Sequence, residues 1–184
     1  MTQKLDLPVQ TLETASQEVA PLLEAVYAKF GKIPNIIGTM ANAPVTLQSY
    51  LALGGNFAKA GFTPLEQQII FLTISLENGC DYCTAAHSTA LTGGLKQTKD
   101  RIDTIRSAEP LEDARLEALI TTVRELVRRK GYLAAPARDA FFNAGYSQTQ
   151  LIDLLSAMAM KTLTNYLDHL ADITIDPAYA AQAV

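Results

Sequence analysis

The sequence predicts an all-α fold in a single domain, and three observations carry that reading. No stretch alternates apolar and polar residues for long enough to make a convincing strand. Helix start and stop signals recur along the whole chain, and apolar residues repeat at spacings of three and four. With 184 residues, 48% hydrophobic and 18% charged, the chain can bury a sizeable core and is too apolar for a disordered one.

The first helix is expected over Pro21–Phe30, with proline in its first turn and Gly31 ending it. KIPNIIGTMANAP reads as a connector holding one short helical turn. Pro44 opens a second helix toward Lys59, loosened by Gly54-Gly55 and stopped by Gly61. Thr63-Pro64-Leu65-Glu66 combines a capping box with proline at the first helical position, and the apolar run Ile69 to Leu76 makes the helix that follows a core element. Gly79 interrupts it, and a new helix runs from Cys80 to Gly93-Gly94. A mostly polar, exposed helix is expected over Lys96–Arg106. Leu116, Leu119, Ile120, Val123 and Val127 lie on one face of a helix over 111–130. A short helix follows over Pro136–Asn143. The last starts at Ser147, with Gln150 completing a second capping box, and runs to Leu170. It is apolar nearly all round, as suits deep burial or a subunit interface.

No linker, repeat or low-complexity stretch divides the chain. The net charge of −4 argues against nucleic acid as a partner, and the basic run Arg128-Arg129-Lys130 ends a helix whose start is acidic, complementing its dipole. MTQKLDLPVQTLE lacks a signal-peptide core, and no segment offers roughly 20 apolar residues for a membrane span. A cytoplasmic protein is expected. In a reducing compartment two cysteines in CxxC spacing point to redox chemistry or metal binding rather than to a permanent disulfide.

Both cysteines and one of the two histidines lie in ENGCDYCTAAH. On a helix beginning at Cys80, Cys83 and His87 share a face, and the imidazole leans back over Cys83, where it can take the thiol proton or stabilise a thiolate. Cβ atoms three residues apart in a helix stand about 5–6 Å apart, whereas a disulfide needs about 3.5–4.5 Å. The pair closes only where the backbone can adjust, and Gly79 supplies that freedom at the helix start. Free N–H groups there favour a thiolate, and Asp81 opposes it mildly. Two other readings stand beside a reactive dithiol. Zinc could use Cys80, Cys83 and His87, but it lacks a clear fourth ligand, His169 being distant and Glu77 unusual. The pair could also be inert core cysteines. Haem attachment fails, since Thr84 follows Cys83 where histidine is required. No metal and no cofactor are expected. Thr162, Asn165 and His169 form a polar stripe on the last helix, read as structural hydrogen bonds or as the border of a substrate pocket carrying Asn165 and His169.

TPLEQQIIFLTISLENGCDYCTAAHSTAL resembles the core of the carboxymuconolactone decarboxylase-like superfamily, in its alkylhydroperoxidase D branch, over residues 44–127. KTLTNYLDHLA is similar to members described as peroxidase-related. The core would thus be flanked by an N-terminal helical extension, 1–43, and C-terminal helices, 128–184. The resemblance implies an all-helical bundle assembled as a homo-trimer or homo-hexamer, reducing an organic hydroperoxide at the expense of a lipoyl-type or thioredoxin-like dithiol. It implies that Cys83 attacks peroxide with help from His87, and that Cys80 resolves the sulfenic acid. Two positions depart from the pattern. Gln68 stands where the family often carries a relay glutamate, and Tyr82 stands between the cysteines where alkylhydroperoxidase D has histidine. Tyr82 and Glu77 are the groups that could take up the relay. A non-catalytic redox sensor or binding oligomer using the same cysteines is the alternative. The family's muconolactone decarboxylation does not work through a cysteine pair and is not carried over.

Overall fold

A computed structural model describes residues 4–183. Among these residues every regular element is helical. The elements are α1 (Ala20–Phe30), α2 (Asn35–Met40), α3 (Pro44–Phe57), α4 (Pro64–Asn78), α5 (Asp81–Thr89), α6 (Lys99–Arg106), α7 (Ala114–Arg128), α8 (Ala135–Asn143) and α9 (Gln148–Ala171). A π-helical turn, Ala90–Gly94, follows α5, and a 3-10 turn, Pro177–Gln182, lies near the C-terminus.

Helix α4 is the axis of the bundle. Its capping box forms as expected, with the Thr63 N–H donating to Glu66 Oε2 at 2.8 Å and the Glu66 N–H to Thr63 Oγ1 at 3.2 Å. Ile69, Ile70, Phe71, Leu72 and Ile74 are all buried, so the helix is enclosed on every side. Each such side chain contributes about 1.5–3 kcal/mol of burial free energy. The buried hydroxyls of Thr73 and Ser75 donate to the carbonyls of Ile69 and Phe71, so neither is left without a partner. One face of α4 packs with α3, α7, α8 and α9 around Phe57, Phe71, Leu119, Val123, Phe141 and Leu154. Another packs on α6 and α7 through Ile69, Leu72, Ile102, Ile105 and Ile120. A separate cluster joins α1, α2 and the start of α5 through Leu23, Val26, Ile36, Met40 and Leu47, and it includes both cysteines and Tyr82.

The structure refines several expectations. The connector before Pro44 holds six helical residues, α2. Gly54 does not loosen α3: a Cβ there would stand 3.3 Å from Met160 Sδ, so the glycine lets α3 approach α9 closely. Helix α6 starts at Lys99 because Thr98 caps it, and its polar exterior covers buried Ile102 and Ile105. Helix α7 starts at Ala114 because the Asp113 carboxylate accepts the N–H groups of Arg115 and Leu116. The second capping box forms at Ser147 and Gln150. Helix α9 buries one face, through Leu154, Ala157, Met160, Lys161, Thr164 and Asn165, while Ile152, Leu155, Tyr166 and Leu170 stay exposed on the single chain. No helix among the described residues is long and apolar enough to cross a membrane.

Candidate active site

The break between α4 and α5 builds the site. Gly79 takes a left-handed conformation (φ 67°), its N–H donating to the Leu76 carbonyl and that of Cys80 to the Ser75 carbonyl. This closure reverses the chain and leaves Cys80 extended at the position just before α5. Its sulfur then accepts the Cys83 N–H at 3.3 Å, so a thiol caps the helix where serine or aspartate would be usual. Cys83 follows in the first turn. The cysteines are free and almost wholly covered, at 1% and 3% exposure.

Three residues that the sequence reading did not single out complete the surroundings. Lys161 reaches in from α9, 2% exposed, and its Nζ lies 2.9 Å from His87 Nε2. Among the described residues no carboxylate forms an ion pair with it. A buried cation without a counter-ion is costly, and an anionic Cys83 offsets that cost. The hydrogen bond from Cys80, the Lys161 charge and the Thr164 hydroxyl outweigh burial and hold the Cys83 thiol well below its ordinary value. Tyr50 of α3 is the second: burial first, then the charge of Cys83, pushes its phenol up. Asp168 of α9 is the third, with Oδ2 accepting from Cys80 Sγ at 3.2 Å. All three stand at least 30 positions from the motif. The one sequence signal was Lys161 itself, a charge lying on the stripe of α9 that turns inward.

His87 occupies the turn after Cys83, but its ring nitrogens are engaged elsewhere. Nδ1 is 2.9 Å from Gln68 Oε1 and Nε2 faces Lys161. The tautomer that satisfies both carries its hydrogen on Nδ1, donated to the Gln68 carbonyl, and accepts from the Lys161 ammonium at Nε2. Burial, and then the Lys161 charge, holds His87 well below the ordinary imidazole value, so it is neutral. Gln68 therefore stands next to His87, at the relay position, as an orienting amide.

The other expected site residues lie apart from this group. The Tyr82 hydroxyl donates to Asp176 and accepts the Ile36 N–H at 3.3 Å, so its hydrogen bonds go to α2 and the C-terminal segment. Glu77 is held by Arg124 and Arg128 of α7. Asn165 is buried, accepting from Asn78 Nδ2 at 2.9 Å, and His169 Nε2 lies 3.2 Å from the Gly79 carbonyl oxygen. These two residues of the polar stripe brace the α4–α5 break. No group of three His, Cys, Asp or Glu among the described residues is placed to hold a metal ion.

The carboxymuconolactone decarboxylase family model matches residues 44–125. Three solved structures share the fold over nearly all of the chain. An uncharacterized peroxidase-related protein from Silicibacter sp. TM1040 is 21% identical, with a TM-score of 0.80, covering 99% of this chain and 98% of that one. The alkylhydroperoxidase AhpD core of a peroxidase-related protein from Ralstonia eutropha JMP134 is 19% identical, with a TM-score of 0.80 and coverage of 94% and 92%. The debrominase Bmp8, as a cysteine-to-alanine variant in complex with 2,3,4-tribromopyrrole, is 17% identical, with a TM-score of 0.76 and coverage of 98% and 96%. No curated protein matches the chain significantly. The superfamily that the motif resembles and the alkylhydroperoxidase D-like helical fold are both supported by these likenesses.

Proposed function

We propose that this chain, a member of the carboxymuconolactone decarboxylase-like superfamily, is a thiol-dependent hydroperoxide reductase. The observation that carries the reading is the buried Lys161 ammonium beside Cys83, with Cys80 as the adjoining thiol. Cys83 is held as a thiolate, the form that attacks peroxide. Its sulfur bonds to the terminal oxygen of a hydroperoxide as the O–O bond breaks, giving a sulfenic acid on Cys83 and an alkoxide that takes a proton from Lys161. His87, oriented by Gln68, holds the Lys161 ammonium in place through Nε2. Cys80 then condenses with the sulfenic acid, releasing water and leaving a disulfide. An external dithiol, lipoyl-type or thioredoxin-like, restores both thiols by exchange. The apolar cluster enclosing the cysteines favours an organic hydroperoxide over hydrogen peroxide.

Intact mass of the reduced protein, before and after brief exposure to an organic hydroperoxide, tests this. The expected product is two hydrogens lighter, and Cys83→Ser does not form it. Cys80→Ser stops after one equivalent, with the added oxygen on Cys83. Unchanged mass in the wild-type chain would sink the proposal, and 2,3,4-tribromopyrrole, the compound bound by the similar debrominase, would be tried next. The near-complete cover of both thiols favours one second reading, a redox sensor that forms the same disulfide without turnover. Sustained peroxide consumption with excess dithiol separates the two.

A further inference from the structure

Cys80 has a carboxylate beside it. Asp168 sits in the last turn of α9. Its Oδ1 accepts the Ile173 N–H at 3.2 Å, which fixes the carboxylate, and its Oδ2 lies 3.2 Å from Cys80 Sγ. The other charged or titratable groups nearby do not claim it. Lys4 reaches the His169 carbonyl and Asp172, and the His169 imidazole faces the Gly79 carbonyl.

The single thiol hydrogen of Cys80 has two acceptors, the Cys83 sulfur and the Asp168 carboxylate. While Cys83 is a thiolate, it takes that hydrogen. Once Cys83 carries oxygen its negative charge is gone, and Asp168 is the anion left beside Cys80. The hydrogen bond to Cys83 and burial both push the Cys80 thiol far up, so the proton does not leave to water near neutrality.

We propose that Asp168 is the catalytic base of disulfide closure, taking the Cys80 thiol proton as that sulfur attacks the sulfenic sulfur of Cys83. This assignment rests on the hydroperoxide reading. The S–S bond forms as the S–O bond breaks, and the departing hydroxide combines with the proton held by Asp168 to leave as water. The peroxide is the only oxidant. Cys80 is 1% exposed whereas Asp168 is half-buried, so the carboxylate also gives the proton a way out to solvent.

The test is a single pulse of organic hydroperoxide on the full chain, quenched over time into acid with a sulfenic-acid trap and read by mass. Two rates emerge, oxygen gain at Cys83 and water loss to the disulfide. In Asp168→Asn the ratio of closure to oxygen gain should fall on the order of 10²-fold, the usual weight of a positioned base. It should recover progressively as pH rises and hydroxide takes over the role of base, and Asp168→Glu should restore part of it. An unchanged ratio overturns the assignment. Equal slowing of both steps marks a structural role and overturns it as well. A wild-type chain that never gains oxygen removes the hydroperoxide reading and this assignment with it.

Discussion

Replacing Lys161 with methionine keeps the aliphatic length of the side chain and removes its charge, so the change isolates the electrostatic hold on Cys83. For an ammonium and a thiolate about 4 Å apart at an effective dielectric near 20, the attraction is about 4 kcal/mol, or roughly three pKa units. That is large enough to decide whether Cys83 is thiol or thiolate at neutral pH. A Cys80→Ser background leaves one thiol, and its ionisation can be followed by thiolate absorbance in the ultraviolet across a pH series. The midpoint should rise by roughly two to three units in the methionine variant, water entry accounting for the lower figure. Reactivity toward a small neutral alkylating agent should then show a crossing pattern. Below the new midpoint the variant has too little thiolate and reacts more slowly. At alkaline pH, where both chains are ionised, the variant reacts faster, since a thiolate of higher pKa is the stronger nucleophile, by roughly 15–30-fold for three units. A midpoint within about half a unit of the parent would show that Lys161 does not set the charge of Cys83, and the electrostatic argument for the site would fail.

Three further outcomes follow from the packing. His87 is held neutral in the folded state, well below the value it takes when unfolded. As pH falls under about 6.5 the unfolded chain gains a proton that the folded chain refuses, so stability drops by about 1.4 kcal/mol per unit until the folded value is reached. Urea unfolding at two pH values should show that slope in the parent and its loss in His87→Gln; equal slopes would refute it. Burial pushes the Glu66 carboxyl up, but the Thr63 N–H, the Tyr146 hydroxyl and Arg115 overcome that and hold it below its ordinary value. Glu66→Ala removes half of the capping box and leaves the Tyr146 hydroxyl only its long bond to the Arg115 carbonyl at 3.5 Å, at a cost of about 2–4 kcal/mol in urea unfolding; a loss under about 0.5 kcal/mol would contradict this account. A Cβ at Gly38 would stand 2.5 Å from Val9 Cγ1 and 2.7 Å from the Gln10 carbonyl oxygen. Gly38→Ala should therefore lift the segment around residues 9 and 10, break the Gln10 N–H bond to the Gly38 carbonyl, and speed proteolysis near residue 10 at a cost of roughly 1–3 kcal/mol. Unchanged cleavage would show that the arm accommodates the methyl group.

What could be read from the sequence was whatever local chemistry writes. Thr63 and Glu66 fixed the start of α4, and Ser147 and Gln150 that of α9, because a capping box is a contact between residues three apart. Cys80, Cys83 and His87 were visible for the same reason, since one helix turn relates them. Gln68 was marked only by its offset from Cys80, yet the bundle sets it against His87. Tyr50, Lys161 and Asp168 come from α3 and α9, and only the packing of those helices brings them to the thiols. Their roles are tertiary, and no spacing rule reaches across that distance. The direction in which Tyr82 points was equally hidden, because it depends on a buried Asp176 in a segment without a helical signature. The helix ends at Ala114 and Lys99 were missed by a few residues for a simpler reason: Asp113 and Thr98 stop helices that the apolar period alone would extend.

A helix capped by a thiol has a start that depends on oxidation state. The sulfur of Cys80 holds the Cys83 amide only while it is free to sit above the first turn of α5. The disulfide of the proposed reaction would draw the sulfur off that position and cost α5 its cap. Linkage then runs in both directions. Whatever steadies the first turn of α5 stabilises the reduced pair and makes the couple more oxidising, as a stable dithiol always does. For the proposed Cys80–Cys83 couple, the reduction potential is in that sense partly a measure of helix stability, and hydrogen exchange at a single backbone amide, that of Cys83, would report both at once.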